Sequence, residues 1–234
     1  MGLPTTKPRP IRKLTQALRI TLAINIVASA GCALGYGLHA AIASRYDVDA
    51  YLGPYDVLDG AQAAELLLMC SGLALLLVGL VAGILALKWS YRSNANAHIF
   101  SRGIENTPKW AIGWWFIPFA ALFKPFAVIS EVWRGAMEPD RWKVLKDPVR
   151  LRWWWAAHLL TSFLAIAGSA MERSAVTAGQ VVTTDIVSAT GMVAQVISTM
   201  LYLSVIGRIE PLQTALIAQG CRRSEDTATP SWAP

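Results

Sequence analysis

We single out six of the polar side chains between residues 92 and 134 as candidates for a catalytic or binding site. We call them the polar cluster: Arg92, Asn94, Asn96, His98, Glu131 and Arg134. If residues 88–100 continue a helix, Asn94 and His98 stand one turn apart on one face of that helix. Polar groups near membrane depth are costly, so they are functional candidates by default. The pattern indicates a ligand site or a proton path.

The same cluster also fits a purely structural role. Pro118 and Pro125 interrupt the stretch that follows, and each proline leaves a backbone carbonyl without its helical partner. Asparagine and arginine side chains can satisfy such groups. Glu131 could pair with Arg92 or Arg134. We favour a structural clamp over a binding site, and both interpretations stay open.

Four long apolar runs surround this cluster, at about 17–42, 63–87, 153–171 and 184–207. A membrane-spanning helix needs about 20 mostly apolar residues. With 54% hydrophobic residues, the chain is predicted to be an all-α integral membrane protein with four transmembrane helices. The pairs Gly31-x-x-x-Gly35 and Gly79-x-x-x-Gly83 weakly indicate faces where helices pack closely.

A fifth stretch reads WAIGWWFIPFAALFKPFAVISE, and its charges decide whether it crosses. If it crossed, the lysines and arginines other than Lys124 would divide evenly between the two sides. If it enters and leaves on one face, eighteen lie on one side and two on the other. Cytoplasmic loops are enriched in Lys and Arg. The stretch is therefore predicted to be a Pro-broken aromatic segment that does not cross, on the cytoplasmic side.

This topology divides the chain into three parts. Residues 1–15 are predicted to be a flexible basic leader, 16–209 one membrane domain that contains an interfacial segment at 108–152, and 210–234 a polar tail. Both termini are expected in the cytoplasm. The aromatic segment either lies in the headgroup layer or dips in as a re-entrant hairpin. Its aromatic residues and its lysine favour the shallow placement.

Residues 132–152 alternate basic side chains with Trp133 and Trp142. Such a pattern can bind single-stranded nucleic acid. Beside a membrane helix it fits better a surface that faces lipid headgroups. We therefore expect anionic lipids as partners, with a second membrane protein as a further candidate, and no nucleic acid.

The central residues resemble a known family. WSYRSNANAHIF, then TPKWAIGWWFIPFAALFKPFAVISEVWRGA, then the tryptophan triplet at 153–155, are similar to the bacterial membrane proteins of domain-of-unknown-function family 4328. The residues that carry the resemblance most are Trp114, Trp115, Pro118, Phe119, Pro125 and Trp133. The resemblance implies a multi-helix protein of a bacterial cytoplasmic membrane, and it implies no established activity, cofactor or catalytic residue.

The chain contains no nucleophile elbow, phosphate-binding loop, HExxH motif or paired CxxC motif. We expect no cofactor, no metal site and no catalytic residue. Two functions of different class remain. The first is a non-enzymatic accessory protein that interacts with lipids or proteins through a basic and aromatic cytoplasmic face. The alternative is a small transporter or intramembrane enzyme that uses a polar pocket beside the broken segment.

Overall fold

The structure, a computed structural model, describes residues 7–52 and 58–228, and the side chains only as far as residue 220. The predicted leader and tail therefore lie partly outside the described residues. Within them the chain is helical, with a single isolated antiparallel bridge between Tyr51 and Thr177 and no strand.

The six α-helices are α1 (Arg12–Ala43), α2 (Gln62–Phe100), α3 (Pro108–Gly113), α4 (Lys124–Met137), α5 (Val149–Glu172) and α6 (Ala178–Ala228). Short 3-10 turns occur at Trp114–Phe116, Ala120–Leu122 and Trp142–Val144.

Four of these helices are long and apolar enough to cross a membrane: α1, α2, α5 and the part of α6 at Ala178–Gly220. These helices contain the four apolar runs identified in the sequence. The prediction of an all-helical, multi-pass membrane protein is therefore confirmed. α2 continues beyond its apolar run to Phe100. α6 continues beyond Arg208 and includes Pro211, so its last part lies in the residues predicted as the polar tail.

The chain forms two compact units. The first contains the described residues of Met1–Arg19, Gly83–Leu151 and Ser204–Pro234, and the second contains Ile20–Ala82 and Arg152–Leu203. The whole polar cluster and the aromatic segment belong to the first unit.

In the second unit, the first glycine pair lies where α1 and α2 approach closely. A Cβ atom added at Gly35 would lie 2.8 Å from Leu68 Cγ, and one added at Gly31 would collide with Ser71. The other pair differs: Gly79 would meet only the side chain of Asn25, at 3.9 Å, and Gly83 would meet no described atom within 4 Å. Only the first pair is needed for close packing.

In the first unit, α3 starts at Pro108, with Thr107 at the N-cap position but without a capping hydrogen bond from its side chain. The helix gives way to two 3-10 turns on either side of Pro118, and α4 begins at Lys124 with Pro125 in its first turn. A proline is tolerated in the first turn of a helix because the amide there has no helical partner. α4 then buries most of its residues.

Candidate functional site

The structure places the members of the polar cluster in separate groups. Asn96 joins α2 to the leader and to α6, and His98 and Glu131 meet at Asn106. Arg134 contacts the loop that follows α4. Arg92 lies exposed on α2. The cluster is therefore not a single pocket, although its members share one unit.

Asn96 is buried and uses its amide fully. Its Oδ1 accepts the backbone N–H of Arg9 (2.9 Å), and its Nδ2 donates to the carbonyl of Arg9 (2.8 Å) and to Oε1 of Gln213 (3.1 Å). Gln213, fully buried on α6, donates in turn to the carbonyl of Ser93 (2.9 Å). One amide thus fastens the leader and α6 to α2.

Asn94 behaves differently, two residues away on the same helix. Its side chain is fully buried, yet neither amide atom has a hydrogen-bond partner among the described residues. A buried polar group without a partner costs about 1–3 kcal/mol. Asn94 thus weakens the packing that Asn96 supports.

Asn106 organises the second group. Its backbone N–H and side-chain Nδ2 donate to the two carboxylate oxygens of Glu131, at 3.1 and 2.9 Å. Its Oδ1 accepts from Trp114 Nε1 (3.1 Å), and its carbonyl accepts from His98 Nε2 (3.0 Å). The loop before α3, the aromatic segment, α2 and α4 therefore meet at one residue.

Glu131 is 4% exposed, and burial raises the pKa of its carboxyl, with the hydrogen bonds from Asn106 opposing part of that increase. Among the described residues it forms no ion pair with Arg92 or Arg134. Its charge is held by amide donors instead, which fits a positioning role.

The guanidinium of Arg134 contacts residues 142–147. Its Nε lies 3.4 Å from Asp147 Oδ1, and its guanidinium carbon is 5.4 Å from the centre of the Trp142 ring. Asp147 also accepts a short hydrogen bond from Ser130. On the same ring, Lys143 Nζ lies 5.6 Å from the centre. The chain after α4 is fixed by these contacts.

The aromatic segment has one packed part and one exposed part. Trp114 stacks on Trp110 with 4.4 Å between ring centres, and Lys124 Nζ lies 5.1 Å from the Trp114 ring. Trp133 and Pro125 are buried in α4, and Trp115 is half-buried. Between these packed residues, Pro118 and Phe119 are exposed.

A groove of about 1050 Å³ lies beside Asn96 and His98, and we call it the basic groove. Four cationic side chains line it: Lys7, Arg9, Lys88 and Arg92. Its apolar wall consists of Leu14, Leu85, Ile99, Pro108 and Ile112. No Asp or Glu lines it among the residues that the structure describes.

Sequence reasoning missed Asn106 and Gln213 as the partners of Glu131 and Asn96. It also missed a hydrogen-bonded pair in the second unit, where His39 Nδ1 lies 2.7 Å from Asp185 Oδ2. The only signal for these residues was a polar side chain in an apolar helix or beside a proline. In the described part of the chain, no group of three His, Cys, Asp or Glu residues could hold a metal ion.

Residues 57–211 match the family described as Domain of unknown function (DUF4328). No curated protein and no solved structure matches the chain. The matched region includes α2, the aromatic segment, α4 and α5, and thus all of the polar cluster. The protein is therefore a multi-pass membrane protein that belongs to the DUF4328 family.

Proposed function

We propose that this protein is a non-enzymatic component of the cytoplasmic membrane that binds anionic lipids through its basic and aromatic face. The observation that carries the proposal is a run of exposed apolar side chains at the turn of the aromatic segment. Their exposed fractions are 72% for Phe116, 40% for Ile117, 82% for Phe119, 54% for Leu122 and 57% for Phe123. Contiguous apolar surface of this kind marks a contact with membrane or protein.

Two hydrogen bonds support a segment that enters and leaves on the same side. Ser101 Oγ donates to the carbonyl of Gly135 (3.1 Å), and Trp142 Nε1 donates to the carbonyl of Arg102 (3.0 Å). The hydrocarbon core of a bilayer is about 30 Å thick. Residues in direct contact lie at the same depth, so the chain before α3 and the chain after α4 share one side in this proposal.

The charges around the segment support the headgroup layer as its place. Lys124 and Lys143 each lie over an indole ring, which pairs a cation with an aromatic surface. Phenylalanine and tryptophan side chains favour the membrane interface, while nearby lysines and arginines attract anionic headgroups. The excess of Lys and Arg on this side assigns it to the cytoplasm in the proposed topology.

Four members of the polar cluster fit a clamp in this proposal: Asn96, His98, Glu131 and Arg134. The amide of Asn96 and the carboxylate of Glu131 are bonded to protein groups from distant parts of the chain. Such contacts hold the aromatic segment and the leader in place against α2 and α6. A transporter or an enzyme would need these groups to face a substrate.

A depth measurement tests the proposal. A spin label is attached to Phe119→Cys, with the native cysteines replaced, and the protein is reconstituted in vesicles that contain phosphatidylglycerol. The label should be shielded from a water-soluble paramagnetic reagent and accessible to oxygen. The matched control is Asp140→Cys, which is also exposed but lies in a polar turn, and it should stay accessible to the reagent. Equal accessibility at the two positions would contradict the proposal.

A further inference from the structure

We propose that the basic groove binds a single anionic phospholipid, with its phosphate held by Lys88 and Arg92 and an acyl chain along Leu85. The inference rests on the proposed function, because it names one lipid class and one site on the same face.

The charge of the groove is the first argument. Lys7, Arg9, Lys88 and Arg92 converge on it, and none of them forms an ion pair with a described carboxylate. Four cations that have no counter-charge among the described side chains repel one another. An anionic group among them relieves that repulsion, so the groove has the charge that a phosphate requires.

The leader wall of this groove is held in place. The backbone of Arg9 is bonded through both its N–H and its carbonyl to Asn96 on α2. Asn96 is itself fixed by Gln213. The backbone that carries Arg9 is therefore fixed beside α2 before a ligand arrives, which lowers the entropic cost of binding.

The position of the groove along α2 favours a lipid over a soluble anion as the ligand. Leu85 belongs to the apolar run at 63–87, whereas Lys88 and Arg92 follow it and stand one turn apart on one face. Leu85 and Ile99 are separated by roughly 21 Å at the rise of an α-helix. The groove thus reaches from the hydrocarbon edge into the headgroup region, as a phospholipid does.

The apolar wall supports the same occupant. Leu14, Leu85 and Ile112 offer no partner to a sugar, a base or a free phosphate. They match an acyl chain or a glycerol backbone. The volume of about 1050 Å³ is at the upper end of the range for sites that enclose a small molecule. A headgroup with the first part of one chain fits such a space.

The test measures lipid retention by the full-length protein in detergent. The protein is titrated with short-chain phosphatidylglycerol, with phosphatidylcholine of the same chain length, and with inorganic phosphate, and bound mass is read by native mass spectrometry. We expect one phosphatidylglycerol per chain, retained far better than phosphatidylcholine. Phosphate alone should not bind at matched concentration. Equal retention of the two lipids would overturn the inference, and saturable binding of phosphate would show an anion site without lipid selectivity.

Two charge-matched double variants localise the site. K88Q/R92Q should weaken phosphatidylglycerol binding by about 10- to 30-fold, since each basic residue near an anionic surface contributes about 1 kcal/mol. K146Q/R150Q removes two exposed cations outside the groove and should leave binding within about twofold. All four residues are exposed, so both proteins should fold. Equal losses of binding in the two variants would mean that the lipid binds to the charged surface in general and not in the groove. That result would overturn the inference.

A third variant tests the groove without removing a cation. Ile99 is 43% exposed and lines the groove, so Ile99→Glu places a carboxylate among the four cations with little cost to folding. Binding of phosphatidylglycerol should be lost, and unchanged binding would contradict the inference. The spin label at position 119 reports the depth of the aromatic segment independently of lipid binding in the groove. Failure of the groove inference and failure of the proposed interfacial placement therefore give different results.

Discussion

Asn106 donates both its backbone N–H and its side-chain amide to the carboxylate of Glu131, at 3.1 and 2.9 Å. This pair joins the loop before the aromatic segment to α4. Because Glu131 is buried, the pair also links the packing of this unit to pH.

Replacing Glu131 with glutamine should change how stability depends on pH. Burial raises the pKa of Glu131 above its value in the unfolded chain. The folded state then keeps the proton to higher pH, so this carboxyl stabilises the fold most below its unfolded pKa and loses that contribution as pH rises through the folded pKa. The quantity to follow is the difference between the unfolding midpoints of the wild type and E131Q, both measured in detergent. This difference should increase in favour of the wild type as pH falls from about 7 to about 4. If this difference does not change with pH, or increases as pH rises, the pKa of Glu131 is not raised in the folded state.

Asn96→Ala should destabilise the protein, because it leaves the backbone groups of Arg9 and the Oε1 atom of Gln213 without their described partner. The loss should be about 1–3 kcal/mol, with lower abundance in cells. Asn94→Ala is the matched control, since it makes the same change at a buried position of the same helix where the amide has no described partner. Loss of the unpaired buried amide is favourable and the small cavity left behind offsets part of that gain, so the unfolding midpoint should be equal to or above that of the wild type. Similar losses in the two variants would mean that the bonds of Asn96 are not what stabilises this region.

Gly35→Ala should disturb the packing of α1 against α2, since the new methyl group would lie 2.8 Å from Leu68 Cγ. Overpacking of this kind costs about 1–3 kcal/mol. Gly37→Ala adds the same methyl group where no described atom lies within 4 Å, and it should stabilise slightly through helix propensity. Unfolding midpoints of the two variants in detergent give the comparison. If Gly35→Ala is as stable as Gly37→Ala, α1 and α2 do not pack closely at Gly35.

His39 and Asp185 should be energetically coupled. Their side chains are 2.7 Å apart and largely buried, at 19% and 9% exposure. In a double-mutant cycle of H39A, D185A and the double variant, the coupling should be about 0.5–3 kcal/mol, as for other residues in direct contact. Additive effects would mean that the contact contributes nothing to stability.

The sequence predicted some parts of this molecule because their signals are local. Long apolar runs located the four membrane-spanning helices, and the family was recognised from the aromatic motif. The partners of the polar cluster were not predicted. Asn96 meets Gln213, and His39 meets Asp185, across more than a hundred residues. Such pairs depend on how helices pack, which no spacing within one helix reveals. The helical continuation of α6 through Pro211 lies in the stretch expected to be a polar tail, for which no secondary structure was predicted.

The central claim is that the aromatic segment begins and ends in the cytoplasm, and cysteine labelling tests it most directly. In a background without the native cysteines, Glu105→Cys, Lys146→Cys and Tyr51→Cys are treated with an impermeant maleimide; all three positions are exposed. In intact cells only the cysteine at position 51 should be labelled. After the membrane is permeabilised, the cysteines at positions 105 and 146 should both be labelled as well. Labelling of positions 105 and 146 from opposite sides would contradict the account.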